Sequence, residues 1–203
     1  LERGVPAAIK TFDRKTGRFL APNGGWAVTN QDVVYPLALL YKTPGNRYYG
    51  DKKVLEICGK AGEAWCDFQN PDGTFEFIKV DGSRWGRIFM PWSIYHWVEA
   101  FILLEDSLNK RCRARWQKGL MLAYNGLAAA RKNPNSHNIP TWDGMSLTRA
   151  GLFFNRPEWV EIGRNQCRFS AKHQHRDGFW PEGDGPTTMY NFVYMHALGL
   201  YYT

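Results

Sequence analysis

Along most of this chain apolar residues return every three or four positions, a spacing that lines one face of an α-helix. Val33, Val34, Leu37, Leu40 and Tyr41 mark such a face over 30–42, with Asn30 as a candidate N-cap. Val54, Leu55, Cys58, Ala61, Trp65 and Phe68 mark another over 51–69. Ile94, Trp97, Val98, Phe101 and Leu104 follow Pro91, a residue suited to a first helical turn. Trp116, Leu120, Ala123, Tyr124, Leu127 and Ala130 define a long helix over 109–132. A loop over 133–140 precedes helices expected at 142–154, at 157–174 and from about 187, and a short helix carries Val5, Ala8, Ile9 and Phe12 near the start.

One stretch has a different period. Asn70-Pro71-Asp72-Gly73 carries turn-forming residues, and the alternation through Thr74-Phe75-Glu76-Phe77-Ile78-Lys79-Val80 before Asp81-Gly82 fits one small β-hairpin. The end of the second helix with its turn, 65–75, is echoed by 169–180: each runs from a helix end through Asp-Gly into aromatic residues. The expected fold is therefore all-α, built of helical hairpins in either an open solenoid or an incomplete α/α toroid, with the one hairpin as its β-structure. Residues 1–203 read as a single domain. The last helical pattern stops at Tyr201-Tyr202-Thr203 without a partner helix, which leads us to expect part of a longer polypeptide.

Composition narrows the choice of partner. The chain has 26 Lys plus Arg against 19 Asp plus Glu, a formal net charge of +7, which concentrates anionic partners around it. The basic residues are scattered, and the densest run, 110–115, reads as the solvated face of a helix, so no nucleic-acid module is indicated. No apolar run approaches the ~18 residues of a membrane span. Nine Trp, ten Tyr and twelve Phe supply core area, and they also suit stacking on a sugar face. Cys58, Cys66, Cys112 and Cys167 show no metal-ligand spacing, lie in helical patterns and read as buried free thiols; neither metal nor cofactor is expected.

Candidate chemistry gathers in two polar segments that each lead into a helix: Asn135-Ser136-His137-Asn138, and the run from Asp177-Gly178 through Glu182 to Tyr190-Asn191-Phe192-Val193-Tyr194. Their order, with Tyr190 lying 53 positions after His137, resembles the α/α-toroid domain of heparinase II/III-like and alginate-lyase-like polysaccharide lyases over a little more than half the chain. In that family an Asn-His pair opens a helix, an Asp-Gly turn with a nearby Glu comes after it, and a Tyr-His-x-Tyr helix start comes last. Here Ser136 stands where the family has Asn, and Asn191 where it has His.

The resemblance implies β-elimination from a uronic-acid-containing polysaccharide. His137 would take the proton beside the carboxylate, Tyr190 would serve the leaving oxygen, and Asn135 and Asn138 would offset the carboxylate charge. Arg84, Arg87, Trp85, Trp142, Tyr194 and Glu182 are the expected substrate contacts. The family also carries a C-terminal β-rich domain, so such a domain is an expected partner, and a secreted or periplasmic location is implied by an acidic polysaccharide or oligosaccharide as substrate. Two alternatives stay open. One is a glycoside hydrolase drawing two carboxylates from Asp143, Asp177, Glu182 and Asp184. The other is a non-catalytic module that binds acidic carbohydrate.

Overall fold

The computed structural model describes residues 1–182 and 185–202, so Asp184 lies outside the described residues. The chain is mostly helical and divides into two compact units, Leu1–Ala123 and Tyr124–Thr203. Among the described residues no helix is long and apolar enough to cross a membrane.

In the first unit a 3-10 turn, Glu2–Gly4, leads into α1 (Val5–Lys10), followed by a minimal hairpin of β1 (Phe12–Asp13) and β2 (Arg18–Phe19). A 3-10 helix, Val28–Val33, then runs into α2 (Val34–Lys42). Asn30 is not the cap that the sequence suggests. Its side chain donates to the Phe19 carbonyl at 2.9 Å, and the helical start falls after Ala27, whose backbone is extended. Asp51 does cap α3 (Lys52–Phe68), accepting from the Lys53 amide at 2.7 Å. Next come the hairpin β3 (Phe75–Ile78) and β4 (Arg84–Ile88), then α4 (Pro91–Leu104) and α5 (Lys110–Ala130), which runs past the boundary of the unit.

The core of this unit is aromatic. Trp97 of α4 lies 5.4 Å from Trp65 of α3 and 6.5 Å from Trp116 of α5, centroid to centroid, and all three are buried. Burial of large apolar side chains, at roughly 1.5–3 kcal/mol each, holds the three helices together. Buried Gln31 is fully employed: its Oε1 accepts from the Phe19 amide and its Nε2 donates to the carbonyls of Gly17 and Ala61. That satisfies a polar group deep in the fold and ties β2 to α3.

The second unit contains the end of α5, then α6 (Asn138–Phe153), α7 (Pro157–Lys172), the two-residue strands β5 (Pro181–Glu182) and β6 (Gly185–Pro186), and α8 (Thr188–Tyr202). α6 packs most extensively along α7. The two backbones come close at Gly144 and Gly163, where a Cβ on Gly163 would come within 2.4 Å of the Gly144 carbonyl oxygen. α6 starts four residues earlier than its apolar pattern suggests. Pro140 reads as a loop residue, but it falls in the first turn, where a missing N–H costs no intrahelical bond. The expectation of a single hairpin also needs correction: β1–β2 and β5–β6 are additional pairs, each too short to produce a readable alternation.

The echoed segments form the same bend in each unit. In the first, the Asn70 amide donates to Thr74 O and the Gly73 amide to Asn70 O; in the second, the His175 amide donates to Phe179 O and the Gly178 amide to His175 O. The side-chain amides of Gln69 and Gln174 reach the carbonyls of Gly73 and Gly178. Gly73 and Gly178 have φ values of 86° and 85°, a region that a Cβ disfavours, which explains glycine at both.

Candidate functional site

The second unit brings four side chains from three elements together. His137 is the N-cap of α6, with an extended backbone, and its Nδ1 accepts from the Ile139 amide at 3.4 Å. Asn138, the first residue of α6, is buried, and its side-chain amide donates to Glu182 Oε1 at 2.9 Å. Tyr194, in the middle of α8 and without exposed surface, donates its hydroxyl to the same oxygen at 3.2 Å. The other carboxylate oxygen, Oε2, lies 3.4 Å from His137 Nε2. Because Nδ1 accepts, neutral His137 carries its proton on Nε2 and presents it to Glu182.

A rigid polar frame sets this arrangement. Buried Gln166 on α7 clamps the backbone of Asn135, accepting from its amide at 3.0 Å and donating to its carbonyl at 2.7 Å. Gln166 also donates to Ser170 Oγ, which is 2.7 Å from Thr141 Oγ1, and the Thr141 hydroxyl donates to the His137 carbonyl. Trp180 donates through Nε1 to the Ser170 carbonyl at 2.7 Å and stacks on Tyr194, with ring centroids 5.0 Å apart and planes 6° from parallel. Asn191, where the family resemblance expects His, accepts from the Trp180 amide at 2.8 Å and so fixes the strand that delivers Glu182.

Burial raises the Tyr194 phenol above its ordinary pKa, and the adjacent Glu182 carboxylate raises it further, with Ser136 pulling the other way. Tyr194 therefore holds its proton and acts as a donor. The Ser136 departure from the family pattern thus has a place in the site, beside the phenol.

The remaining candidates separate by position. Asn135 is exposed and is anchored through its backbone. Tyr190, one helical turn before Tyr194, is 39% exposed and forms no hydrogen bond with the described residues, so the hydroxyl that meets Glu182 is that of Tyr194. Glu182, expected on the substrate, directs both oxygens at protein donors. Trp142, also expected on the substrate, is buried and meets His196 edge to face at 5.1 Å, which leaves its ring no free face for a sugar. Arg84, Trp85 and Arg87 all belong to β4 in the first unit and are exposed.

The described carboxylates considered for hydrolysis sit in unlike surroundings. Asp143 is enclosed, with 1% of its side chain exposed, and pairs with Arg131 Nε at 2.7 Å. Burial pushes its carboxyl up to about 6, against the pull of Arg131. Asp177 sits exposed on the second bend, beside His175 at 3.3 Å. Among the described residues no group of three or more His, Cys, Asp or Glu side chains could hold a metal ion. All four cysteines are free thiols, and burial pushes those of Cys66 and Cys167 up to about 12.

Sequence reasoning missed Gln166, Ser170, Thr141 and Trp180. A signal for the first was present, since Gln166 falls on the inward stripe of α7 where an apolar residue would be expected. The chain matches no protein-family model, no curated protein and no solved structure at a significant level, so the site is defined by its own residues and their geometry.

Proposed function

We propose that the protein is a polysaccharide lyase that cleaves a uronic-acid-containing polysaccharide by β-elimination. The observation that carries this reading is the convergence of His137, Asn138 and Tyr194 on the Glu182 carboxylate, beside an exposed Tyr190 one turn earlier on α8. Groups that can reach a substrate and groups that position them are separated. The His137 side chain is 47% exposed, and Asn135 and Tyr190 are also open to solvent; Asn138, Tyr194 and Trp180 are buried.

In this scheme the amide of Asn135 binds the uronate carboxylate and lowers the cost of carbanion character at the adjacent carbon. His137 turns out of its contacts with Glu182 and the Ile139 amide, the freed Nδ1 lone pair accepts the proton from that carbon while Nε2 keeps its own, and the electron pair of the broken C–H bond forms the new C=C bond. The glycosidic C–O bond breaks with its electrons on oxygen, and Tyr190 protonates that oxygen. Proton exchange with water restores both residues. Glu182 touches no substrate and instead fixes Asn138, Tyr194 and the imidazole.

The matched bends of the two units support repeated helical hairpins of the α/α-toroid kind, and the surplus of positive charge favours a polyanionic substrate. A polymer of that kind fits a secreted or periplasmic enzyme, with a β-rich domain as a companion. The enclosure of Asp143 weighs against a paired-carboxylate hydrolase. A binding module without turnover is the second reading, favoured by the exposed aromatic side chain of Trp85.

The test is a panel of acidic polysaccharides followed at the near-ultraviolet absorbance of the unsaturated product. His137→Ala and Tyr190→Phe should each lower the rate by about 10²-fold or more, the scale of general acid–base catalysis, with the melting temperature unchanged in Tyr190→Phe and lowered in His137→Ala only by the small cost of a lost helix cap. Product formed at the unaltered rate by either variant removes that residue from the scheme. Retained glycan binding with no product from any polymer selects the binding module.

A further inference from the structure

The β3–β4 hairpin of the first unit carries a large aromatic ring that the fold leaves outside its core. Trp85 is 66% exposed, yet it is braced from behind: Phe77 meets it edge to face at 5.2 Å, and Phe77 in turn meets Trp92 at 6.2 Å. The pairing register slips between Glu76 and Ile78, and Gly86, directly after Trp85, has a φ of 93°. Such irregularities twist a strand and re-aim a side chain. The tip of the hairpin is held as well, because a Cβ on Gly25 would come within 2.5 Å of the Val80 carbonyl oxygen, so the loop before α2 lies directly against it.

The charge around the ring is positive. Lys79 Nζ lies 5.4 Å from the Trp85 ring centroid, and Arg84 and Arg87 are exposed on the same strand as Trp85. The carboxylates of the hairpin are partly committed. Asp81 accepts from the Ser83 amide and hydroxyl in the turn, and Glu76 is opposite Arg87 in the register. Three cations against two carboxylates leave the hairpin positive, with Lys79 at the indole itself.

We infer that Trp85 and Lys79 form a stacking site for one acidic sugar residue of a glycan, the indole taking the apolar C–H face of the ring and the ammonium taking its carboxylate. Lys79 already rests over the indole and has only to turn outward, while the braced ring gives up little freedom on binding. The site lies wholly in the first unit. It shares with the lyase reading only the class of ligand, so loss of turnover leaves it standing.

The experiment titrates the full chain with oligogalacturonate and oligomannuronate hexamers. Maltohexaose serves as neutral control and a single-stranded oligonucleotide as aromatic polyanion, and calorimetry reads the binding. An oligouronate should bind, weakening about tenfold in Trp85→Ala, the scale of one aromatic contact. Lys79→Met should weaken the acidic ligand and not the neutral one, and the losses in Trp85→Ala and Lys79→Met should be the same when each change is made in a His137→Ala background that turns nothing over. Circular dichroism of each variant confirms the fold. The inference is overturned if no oligouronate binds, if Trp85→Ala binds at full strength, if maltohexaose binds equally well, or if the oligonucleotide is preferred.

Discussion

Asn138 Nδ2 and Glu182 Oε1 are 2.9 Å apart, which ties the first turn of α6 to a strand 44 residues later in the chain. The same oxygen accepts from Tyr194, so one carboxylate orders two elements on which the candidate site depends.

Glu182→Gln keeps the size of the side chain and removes its charge. One of the two terminal atoms becomes an N–H donor that faces other donors, and an unmet buried donor costs about 1–3 kcal/mol. Urea denaturation should show a loss of that size, and turnover should fall mainly in kcat. An unchanged midpoint would mean that the carboxylate does not hold the site together.

Tyr194→Phe changes the response to alkali. The folded-state pKa of the phenol is raised by burial and by Glu182, so its contribution is complete below the unfolded value of about 10 and is lost as the pH rises above it. The unaltered chain should lose stability more steeply than Tyr194→Phe on going above pH ~10. Parallel melting curves through that range would contradict the assignment of Tyr194 as a retained proton donor.

Asp143 works in the acid range. Its folded-state carboxyl is pushed up to about 6 from 3.8, so its contribution to stability is greatest below the lower value and declines until the higher one is passed. Asp13, Asp72, Asp81 and Asp106 are shifted downward and slope the opposite way, so the informative quantity is the difference between Asp143→Asn and the unaltered chain. Asp143→Asn should gain relative stability as the pH rises from 4 to 6, the interval between the two rounded values, and hold it above that. A difference independent of pH there would show that Asp143 is ionised throughout.

The two bends can be separated by adding one methyl group to each. At Gly178 a Cβ meets nothing within 4 Å, so Gly178→Ala costs only the left-handed backbone, about 1–2 kcal/mol. At Gly73 the added atom also lies 2.6 Å from the Leu122 carbonyl oxygen, and Gly73→Ala should cost more. Equal losses in thermal denaturation would argue against that contact.

Periodicity and punctuation were the legible parts of the sequence. α3 and α5 could be read from their apolar stripes, and the hairpin at 75–88 from its turn residues and alternation. The start of α6 was hidden by Pro140, which local propensity cannot distinguish from a loop proline. The site was half legible. His137, Asn138 and Glu182 stood out as polar residues beside helix starts, but Tyr190 and Tyr194 share a helical face, and only packing against Trp180 decides which hydroxyl turns inward. Trp142 and Trp85 carry the same side chain with opposite fates, one in the core and one in water, because neighbouring elements rather than residue type set burial.

The matched Gln-x-x-Asp-Gly bends each close on their own amides and one glutamine, and the first is also pinned to α5, where Gln69 donates to the Gly119 carbonyl. The segment beyond each bend is then free to vary: Thr74 opens a hairpin that ends in an exposed indole, while Phe179 leads to the strand carrying Glu182. A fold assembled this way can exchange one working surface for another while its corners stay as they are.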